Sequence, residues 1–471
     1  MSVCLLTRCK DEYFIEEFCN YYLNQEIDKI YIIDDDSLDK TIYKNLENNP
    51  QIEIIYEKDI VQTDFVNKFY PKIQNLYDWM IYCDVDEFIT TKKNSNKTIK
   101  EELNSTFKDV DCIKIPWIFF SCNNIEKNPE SILETNIYRW NHDEKHENQI
   151  TKEYKFRCRY NQIEVKCIFK PKFFDKIWDH YPKNPNKIPI CVDSIYLNKD
   201  EINPGYNNLR ENDINNAHLI CHHYRIISKE NCLNKLKSNI WYKDKYTLDD
   251  LMSIDYNEII DDTLKIKSKK NKIRFIHITK TGGTSIEDFG KNNNFYWGRF
   301  DFRLSKKKHK LERDGFWHIP IRYFYVNPFN SNDILFTVVR NPYERIISEC
   351  FCNHGGLFKK GQFKNVQEFN EYIQDRINKI NKFEFLHFLP QHWYTHDENL
   401  NQIIPNILKF ENLKNEFEEF MKKNDFDIKF DLHANVSKNK IFNINDISRE
   451  NLDLINEVYH NDFVFFGYDK I

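Results

Sequence analysis

Only 10 of the 471 residues are glycine, while Tyr, Phe, Ile, Asn and Lys abound and aromatics reach 15%. That bias reads as AT-rich coding as much as a binding role. The 13 cysteines run from Cys4 to Cys352 without one C-x-x-C pair, and their number is odd. Neither a disulfide framework nor a zinc ribbon is indicated, and a reducing compartment is the expectation. No apolar run approaches the length of a membrane span, and Met1 to Lys10 is too short for a signal-peptide core. A cytoplasmic location is therefore expected, and the sequons at Asn96, Asn104 and Asn435 are read as chance in an Asn-rich chain. Net charge is only -5, from 68 basic and 73 acidic residues, so no global field argues for nucleic acid or an anionic membrane. No internal repeat is evident.

What is present is enough apolar residue, 41%, for two or three domains with their own cores. Upstream, "VCLLT", "KIYIID" and "WMIYCDVDEF" are short apolar strands, and "EYFIEEFCNYYLNQE" has the helical spacing of Phe14, Phe18, Tyr21 and Tyr22. This is an α/β pattern, with ligands expected at the carboxyl ends of the strands. A charged stretch from Lys265 to Arg274 ends in a new apolar strand at Ile273, so the chain divides near residue 268. Downstream, "IRFIHI" and "DILFTVV" each lead through a loop into a helix, which makes a second α/β part.

In "YCDVDEF", Asp84 and Asp86 stand two apart directly after a buried strand. Carboxylates so spaced can converge on a hard divalent cation that bridges to a diphosphate, although alone the pattern is a common solvated turn. The order "LLTRCKDEYFIEEFCNYYLNQEIDKIYIIDDDSLDKT", "WMIYCDVDEFI", "FKPKFFDKIWDHYP" and "CHHYRIISKENCLNKL" resembles GT-A glycosyltransferases, particularly the family 92-like (DUF23) group of glycosyltransferase family 2 type, over about the first 240 residues. The resemblance implies a nucleotide-sugar donor, with Mn2+ or Mg2+ on Asp84 and Asp86. It further implies Asp34 and Asp35 near the nucleoside, Thr7 and Arg8 at the first strand end, and His223 as a late metal ligand or a donor to the diphosphate. Glu87 is a structural or supporting candidate only. A zinc site on His218, Cys221, His222 and His223 is the alternative for that cluster, but four residues within six positions cannot all face one ion. From Asn20 to Asn24 the tryptophan and histidine usual in the family are missing, so acceptor binding is not carried over, and no base for glycosyl transfer is assigned.

The stretch "HITKTGGTSIE" places Lys280 before Gly282 and Gly283, the reverse of the G-K-S/T order of a nucleotide triphosphatase. Residues Thr279 to Ser285, including Thr281, Gly282, Gly283 and Thr284, can wrap their N–H groups around an anion at a helix start. A plain nucleotide loop and a structural glycine turn remain open until the second motif is added. In "ILFTVVRNPYERIIS" an apolar strand ends in Arg340, with Ser348 eight residues on, so guanidinium and hydroxyl can meet at a second phosphate. Together the two stretches resemble the 5'-phosphosulfate and 3'-phosphate motifs of sulfotransferases that use 3'-phosphoadenosine-5'-phosphosulfate (PAPS), nearest the heparan sulfate 2-O-sulfotransferase-like group (Sulfotransfer_2 type). Later landmarks, "HFLPQHWY", "ILKFENL", "NVS" and "VYHNDFVFFGY", extend the likeness over about residues 273 to 468.

That likeness implies that Lys280 stabilises the leaving oxygen and that His318, between the donor motifs, is the base, with His309 next. His354, His387 and His392 fit the role less well, Gln391 is expected to orient substrate, and Lys438 and Lys440 to cover the nucleotide or be solvated. The combined expectation is α/β in two domains. Residues 1–267 form a Rossmann-like GT-A domain and 268–471 a P-loop-like, PAPS-dependent sulfotransferase domain acting on a glycan acceptor. The alternatives are a non-catalytic, glycan-binding N-terminal module and a C-terminal nucleotide kinase.

Overall fold

The computed structural model describes all residues except 58–61, 145–157, 160–161, 204, 207–208, 240–241, 302–303, 305–308, 311–315, 326, 330–332, 353–362, 381–385 and 432–439. His354, Lys438 and the 435–437 "NVS" stretch lie outside the described residues. The chain divides into two compact units, Met1–Ser268 and Lys269–Ile471.

In the first unit, strands β1 (Val3–Cys9), β2 (Lys29–Asp35), β3 (Ile52–Glu57) and β4 (Trp79–Tyr82) pair in the order β3-β2-β1-β4, all parallel. The sheet then becomes mixed. Four more strands, β5 (Glu87–Thr91), β6 (Cys112–Phe119), β7 (Gln162–Phe169) and β8 (Leu219–His223), continue it beyond β4 as β7-β6-β8-β5. β7 runs antiparallel to both β4 and β6, and β8 runs parallel to β6 but antiparallel to β5. Parallel strands covered on both faces read as continuous apolar runs, which is how "WMIY" and "KIYIID" read. Helix α1 (Ile15–Asn24) buries Phe18, Tyr21 and Tyr22 at helical spacing. Its two tyrosines also fix β5. Tyr21 donates to the Ile89 carbonyl at 2.7 Å and Tyr22 to that of Glu87 at 3.0 Å, while the Ile89 N–H donates to the Tyr22 oxygen at 2.9 Å. The acidic triplet is thereby held between β4 and β5.

The second unit is built on three parallel strands, β9 (Ile273–Ile276), β10 (Ile334–Val339) and β11 (Asn406–Lys409), with β10 central. Helix α2 (Gly283–Asn292) follows β9, and helix α3 (Pro342–Cys350) follows β10. On one face Phe275, Phe336 and Val338 pack with Ile286 of α2 and with Phe417 and Phe420. On the other, Val339 packs with Tyr343, Ile346 and Ile347 of α3 and with Phe369 and Ile373. Pro342 opens α3 and Asn341 caps it, accepting from the N–H groups of Tyr343 and Glu344 at 3.0 and 3.3 Å. The "RNP" sequence thus sets where Arg340 leaves the sheet.

Candidate functional site

After β9 the chain runs over Lys280, whose φ is +64°, and Gly282, whose φ is +87°. Lys280 is a side-chain-bearing residue in the left-handed region, which costs about 1–2 kcal/mol and marks a turn held by its surroundings. A Cβ on Gly283 would fall 2.1 Å from Nε2 of His277, so only glycine lets the loop close on that imidazole. His277 is itself fixed, with Nδ1 2.6 Å from Oε1 of buried Glu287 on α2. Thr281 donates to the Ile278 carbonyl at 2.7 Å. Thr284 and Ser285 occupy the first turn of α2, where the N–H of Ser285 donates to the Gly282 carbonyl at 3.0 Å.

Arg340 reaches this loop. Its Nη1 donates to the Lys280 carbonyl at 3.4 Å, its guanidinium lies 4.3 Å above the Phe410 ring, and Glu344 sits 3.4 Å from Nη2. Lys440 approaches Glu344 at 3.6 Å, and burial, with the charges of Arg340 and Lys280 adding to it, pulls this lysine below its ordinary range. Among the described residues, Lys280, Arg340 and Lys440 therefore gather around the turn, with Glu344 and Glu411 the carboxylates acting on Arg340. Such a cluster repels itself until an anion enters. Ser348 is nearly buried on α3, one turn beyond Arg345. The Gln391 side chain is engaged with the backbone of Arg340: its amide accepts from the Arg340 N–H at 2.9 Å and donates to the Arg340 carbonyl at 2.8 Å. His318 stacks edge-on against His277, ring centres 4.4 Å apart, and burial drives its imidazole well below 6.5. His309 packs on Phe324, and His392 gives its Nδ1 to Asp462 at 2.7 Å.

In the first unit the carboxyl ends of β1 and β2 bring together Thr7, Arg8, Asp34 and Asp35. Arg8 pairs with Asp35, which also lies 3.8 Å from Lys10. Asp34 is wholly buried and accepts from Tyr43 at 2.6 Å and from the N–H of Ser37 at 3.3 Å, so it holds the turn after β2. Across the sheet, each member of the D-x-D pair holds an ammonium. Lys166 on β7 sits 3.0 Å from Asp84 and 3.2 Å from Glu87, and donates to the Asp179 carbonyl at 2.9 Å. Lys235 sits 2.8 Å from Asp86. Burial would raise Asp86, but Lys235 and His223 outweigh it and hold the carboxyl down at about 2. Burial lifts Glu87 well above the usual carboxylate range, and lifts nearby Glu12 to about 7. His223 presents Nε2 to Asp86 at 3.7 Å, and burial lowers it to about 3.

Each ammonium takes one oxygen of its carboxylate, Oδ2 of Asp84 and Oδ2 of Asp86, and among the described residues no three His, Cys, Asp or Glu side chains group as ligands for the expected Mn2+ or Mg2+. Nor do the zinc alternatives converge: His218 binds Glu102 at 2.8 Å and His222 stacks on Phe120.

Sequence reasoning missed Lys166, Lys235, Glu12, His277, Glu287, Arg345 and Glu349. Arg345 has the clearest signal, a charge on the apolar face of "PYERIIS". It is almost fully buried, and donates from Nε to the Thr279 carbonyl at 2.9 Å, from Nη1 to that of Leu389 at 2.8 Å and from Nη2 to that of His387 at 2.9 Å. It ties the end of β9 to the segment carrying His387.

The family model described as glycosyltransferase family 92 matches residues 70–263, and that described as sulfotransferase family matches residues 265–469. No curated protein matches the chain. Among solved structures, S. aureus TarS 1-349 aligns at 15% identity over 37% of this chain and 48% of that one, with a TM-score of 0.22. Its complex with UDP-GlcNAc aligns at 16% identity over 28% and 38%, with a TM-score of 0.20. HddC from Yersinia pseudotuberculosis aligns at 10% identity over 46% and 98%, with a TM-score of 0.24. The chain spans less than half the length of these TarS structures. The first match supports a glycosyltransferase-like segment and the second a sulfotransferase-like segment. Both families are usually enzymes, the one implying a nucleotide-sugar donor and the other PAPS.

Proposed function

We propose that this chain, in which a glycosyltransferase family 92 segment runs into a sulfotransferase family segment, is a bifunctional enzyme that adds a sugar and a sulfuryl group to glycan acceptors. Residues 268–471 are the PAPS-dependent sulfotransferase. The observation that carries this reading is the turn at Gly282 and Gly283, reached by the Arg340 guanidinium and flanked by Lys280 and Lys440. An adenosine bearing phosphate at both ends needs two anion receptors. The loop N–H groups at the α2 start with Lys280 form one, and Arg340 with Ser348 forms the other. In transfer, the acceptor hydroxyl is aligned with the sulfur, Lys280 meets the charge gathering on the departing phosphate oxygen, and an imidazole of the His277, His318 and His387 cluster receives the proton.

Isothermal titration with 3'-phosphoadenosine-5'-phosphate, ATP and ADP tests this. The doubly phosphorylated product binds and ATP does not, and Arg340→Ala weakens binding by at least tenfold. Equal affinity for ATP would return the loop to the kinase reading.

Residues 1–267 transfer the sugar, with the donor at the carboxyl ends of β1, β2 and β4. One observation favours a second reading, a glycan-binding module without turnover: a lysine already neutralises each D-x-D carboxylate. Hydrolysis of nucleotide sugars, lost in Asp86→Ala, supports the transferase. Glycan binding that survives Asp86→Ala, with no hydrolysis, supports the module. No described helix is long and apolar enough to cross a membrane, and the described cysteines are free thiols.

A further inference from the structure

Two histidine–carboxylate pairs flank His318. Nδ1 of His277 meets Oε1 of Glu287 at 2.6 Å, and Nδ1 of His387 meets Oε1 of Glu349 at 2.9 Å. The His318 ring stands 4.4 Å from that of His277 and 5.4 Å from that of His387. The nitrogens of the three rings are not equally available.

Both nitrogens of His318 are in use. Nδ1 faces the His277 carbonyl at 3.3 Å, and Nε2 accepts from the indole N–H of Trp317 at 2.8 Å. A ring nitrogen facing a carbonyl carries the hydrogen, and one facing an indole N–H offers its lone pair, so no lone pair is left for a hydroxyl. His277 has its Nδ1 on Glu287 and its Nε2 packed against the Gly283 backbone, where even a methyl group would overlap it. His387 differs. Its Nδ1 faces a carboxylate and so holds the hydrogen, which leaves the lone pair on Nε2. Its side chain is 30% exposed, whereas those of His277 and Glu349 are 7% and 1% exposed. Its backbone is tied to the strand end that carries Lys280, because the His387 carbonyl accepts from Thr279 Oγ1 at 3.1 Å and from Arg345 Nη2 at 2.9 Å.

We propose that His387, held in its tautomer by Glu349, takes the proton of the acceptor hydroxyl, while His318 buttresses it. This deepens the reading of residues 268–471 as a sulfotransferase and rests on it. In the step, the acceptor oxygen bonds to sulfur as the bond from sulfur to the 5'-phosphate oxygen breaks. The bonding pair leaves on that phosphate oxygen beside Lys280, and the hydroxyl proton moves to Nε2 of His387. The products are the sulfate ester, 3'-phosphoadenosine-5'-phosphate, and a proton on an imidazolium stabilised by the Glu349 carboxylate. His387 is then the catalytic residue and Glu349 a positioning residue. Among the described residues, the charged or titratable groups facing His387 are Glu349 and Arg345 from α3 and His318 from the turn at Phe316–His318.

The full chain is treated with diethyl pyrocarbonate and modified histidines are mapped by mass spectrometry. In parallel, sulfate transfer from PAPS to desulfated heparin and desulfated chondroitin is followed in variants. His387 is expected to be modified early and His318 to resist. His387→Gln should lower transfer about 100-fold or more while the melting shift given by 3'-phosphoadenosine-5'-phosphate is kept, and His318→Gln should cost less. Glu349→Gln should lower transfer and move the acid limb of the kcat/KM profile, which a merely structural role would leave in place. A larger loss in His318→Gln than in His387→Gln overturns the assignment, as does a His387 that resists the reagent. If the parent protein shows no melting shift with the nucleotide, the sulfotransferase reading itself fails. If the nucleotide binds but neither polysaccharide is sulfated, the modification map alone decides, and a modified His318 with a protected His387 overturns the proposal.

Discussion

Gly283 shows how one missing methyl group shapes a site. Nε2 and Cδ2 of His277 stand 2.1 and 2.2 Å from where a Cβ would be, and the imidazole cannot retreat while Glu287 holds its other nitrogen. Gly283→Ala is therefore expected to destabilise the protein by about 1–3 kcal/mol through overpacking and to weaken binding of 3'-phosphoadenosine-5'-phosphate by more than tenfold, read by urea denaturation and calorimetric titration. Normal affinity in that variant would show that the loop does not close on the phosphate. Buried histidines also set the response to acid. Burial, with the Arg139 guanidinium adding to it, holds His142 down at about 4, and its Nε2 is buried without a hydrogen-bond partner. The unfolded chain takes up this proton near pH 6.5 and the folded chain only near 4. The neutral form is favoured by folding, so its stability is full above pH 6.5 and is lost as pH falls toward 4, by about 3 kcal/mol. His142→Leu should flatten the fall in urea midpoint between pH 7 and pH 4.5. An unchanged slope would place the acid sensitivity elsewhere.

At the scale of elements, α3 matters more for what it anchors than for the helix it makes. Arg345 satisfies the carbonyls of Thr279, Leu389 and His387, three groups from two separated segments, and leaves none of them to water. Arg345→Leu leaves the Thr279 and Leu389 carbonyls unpaired at about 1–3 kcal/mol each, while that of His387 keeps Thr279 Oγ1, so a large drop in urea midpoint is expected together with loss of nucleotide binding. A small drop would mean that water replaces the guanidinium. The helices and strands that hold the motifs were readable from local pattern. "EYFIEEFCNYYLNQE" becomes the helix Ile15–Asn24, and "DILFTVV" becomes Ile334–Val339 before a capped, proline-opened helix. What local pattern could not give is which side chain meets which across the sheet. Lys166 comes to Asp84 from 82 residues away and Lys235 to Asp86 from 149, because β7 and the chain after β8 return beside β4 and β5. Spacing along the chain shows two neighbouring carboxylates; strand order brings a lysine to each of them.

For the whole molecule, the division into Met1–Ser268 and Lys269–Ile471 leaves each unit with its own core. Calorimetry of the full chain is expected to show two unfolding transitions, with 3'-phosphoadenosine-5'-phosphate raising only one of them. A ligand bound to the native state at about 100 times its Kd adds about 2.7 kcal/mol to the unit that holds it. A single transition that shifts as a whole would show that the units unfold together. The amino-acid sequence by itself determined the α/β class, the two-part organisation, the glycine turn after β9 and the proline-opened helix after β10, since apolar periodicity, a proline helix start and glycines at a tight loop are local properties of the chain. Only the tertiary structure decided which lysines meet the D-x-D carboxylates and which carboxylates meet His277 and His387, because those depend on hydrogen bonds between segments that meet only when the sheets and helices pack.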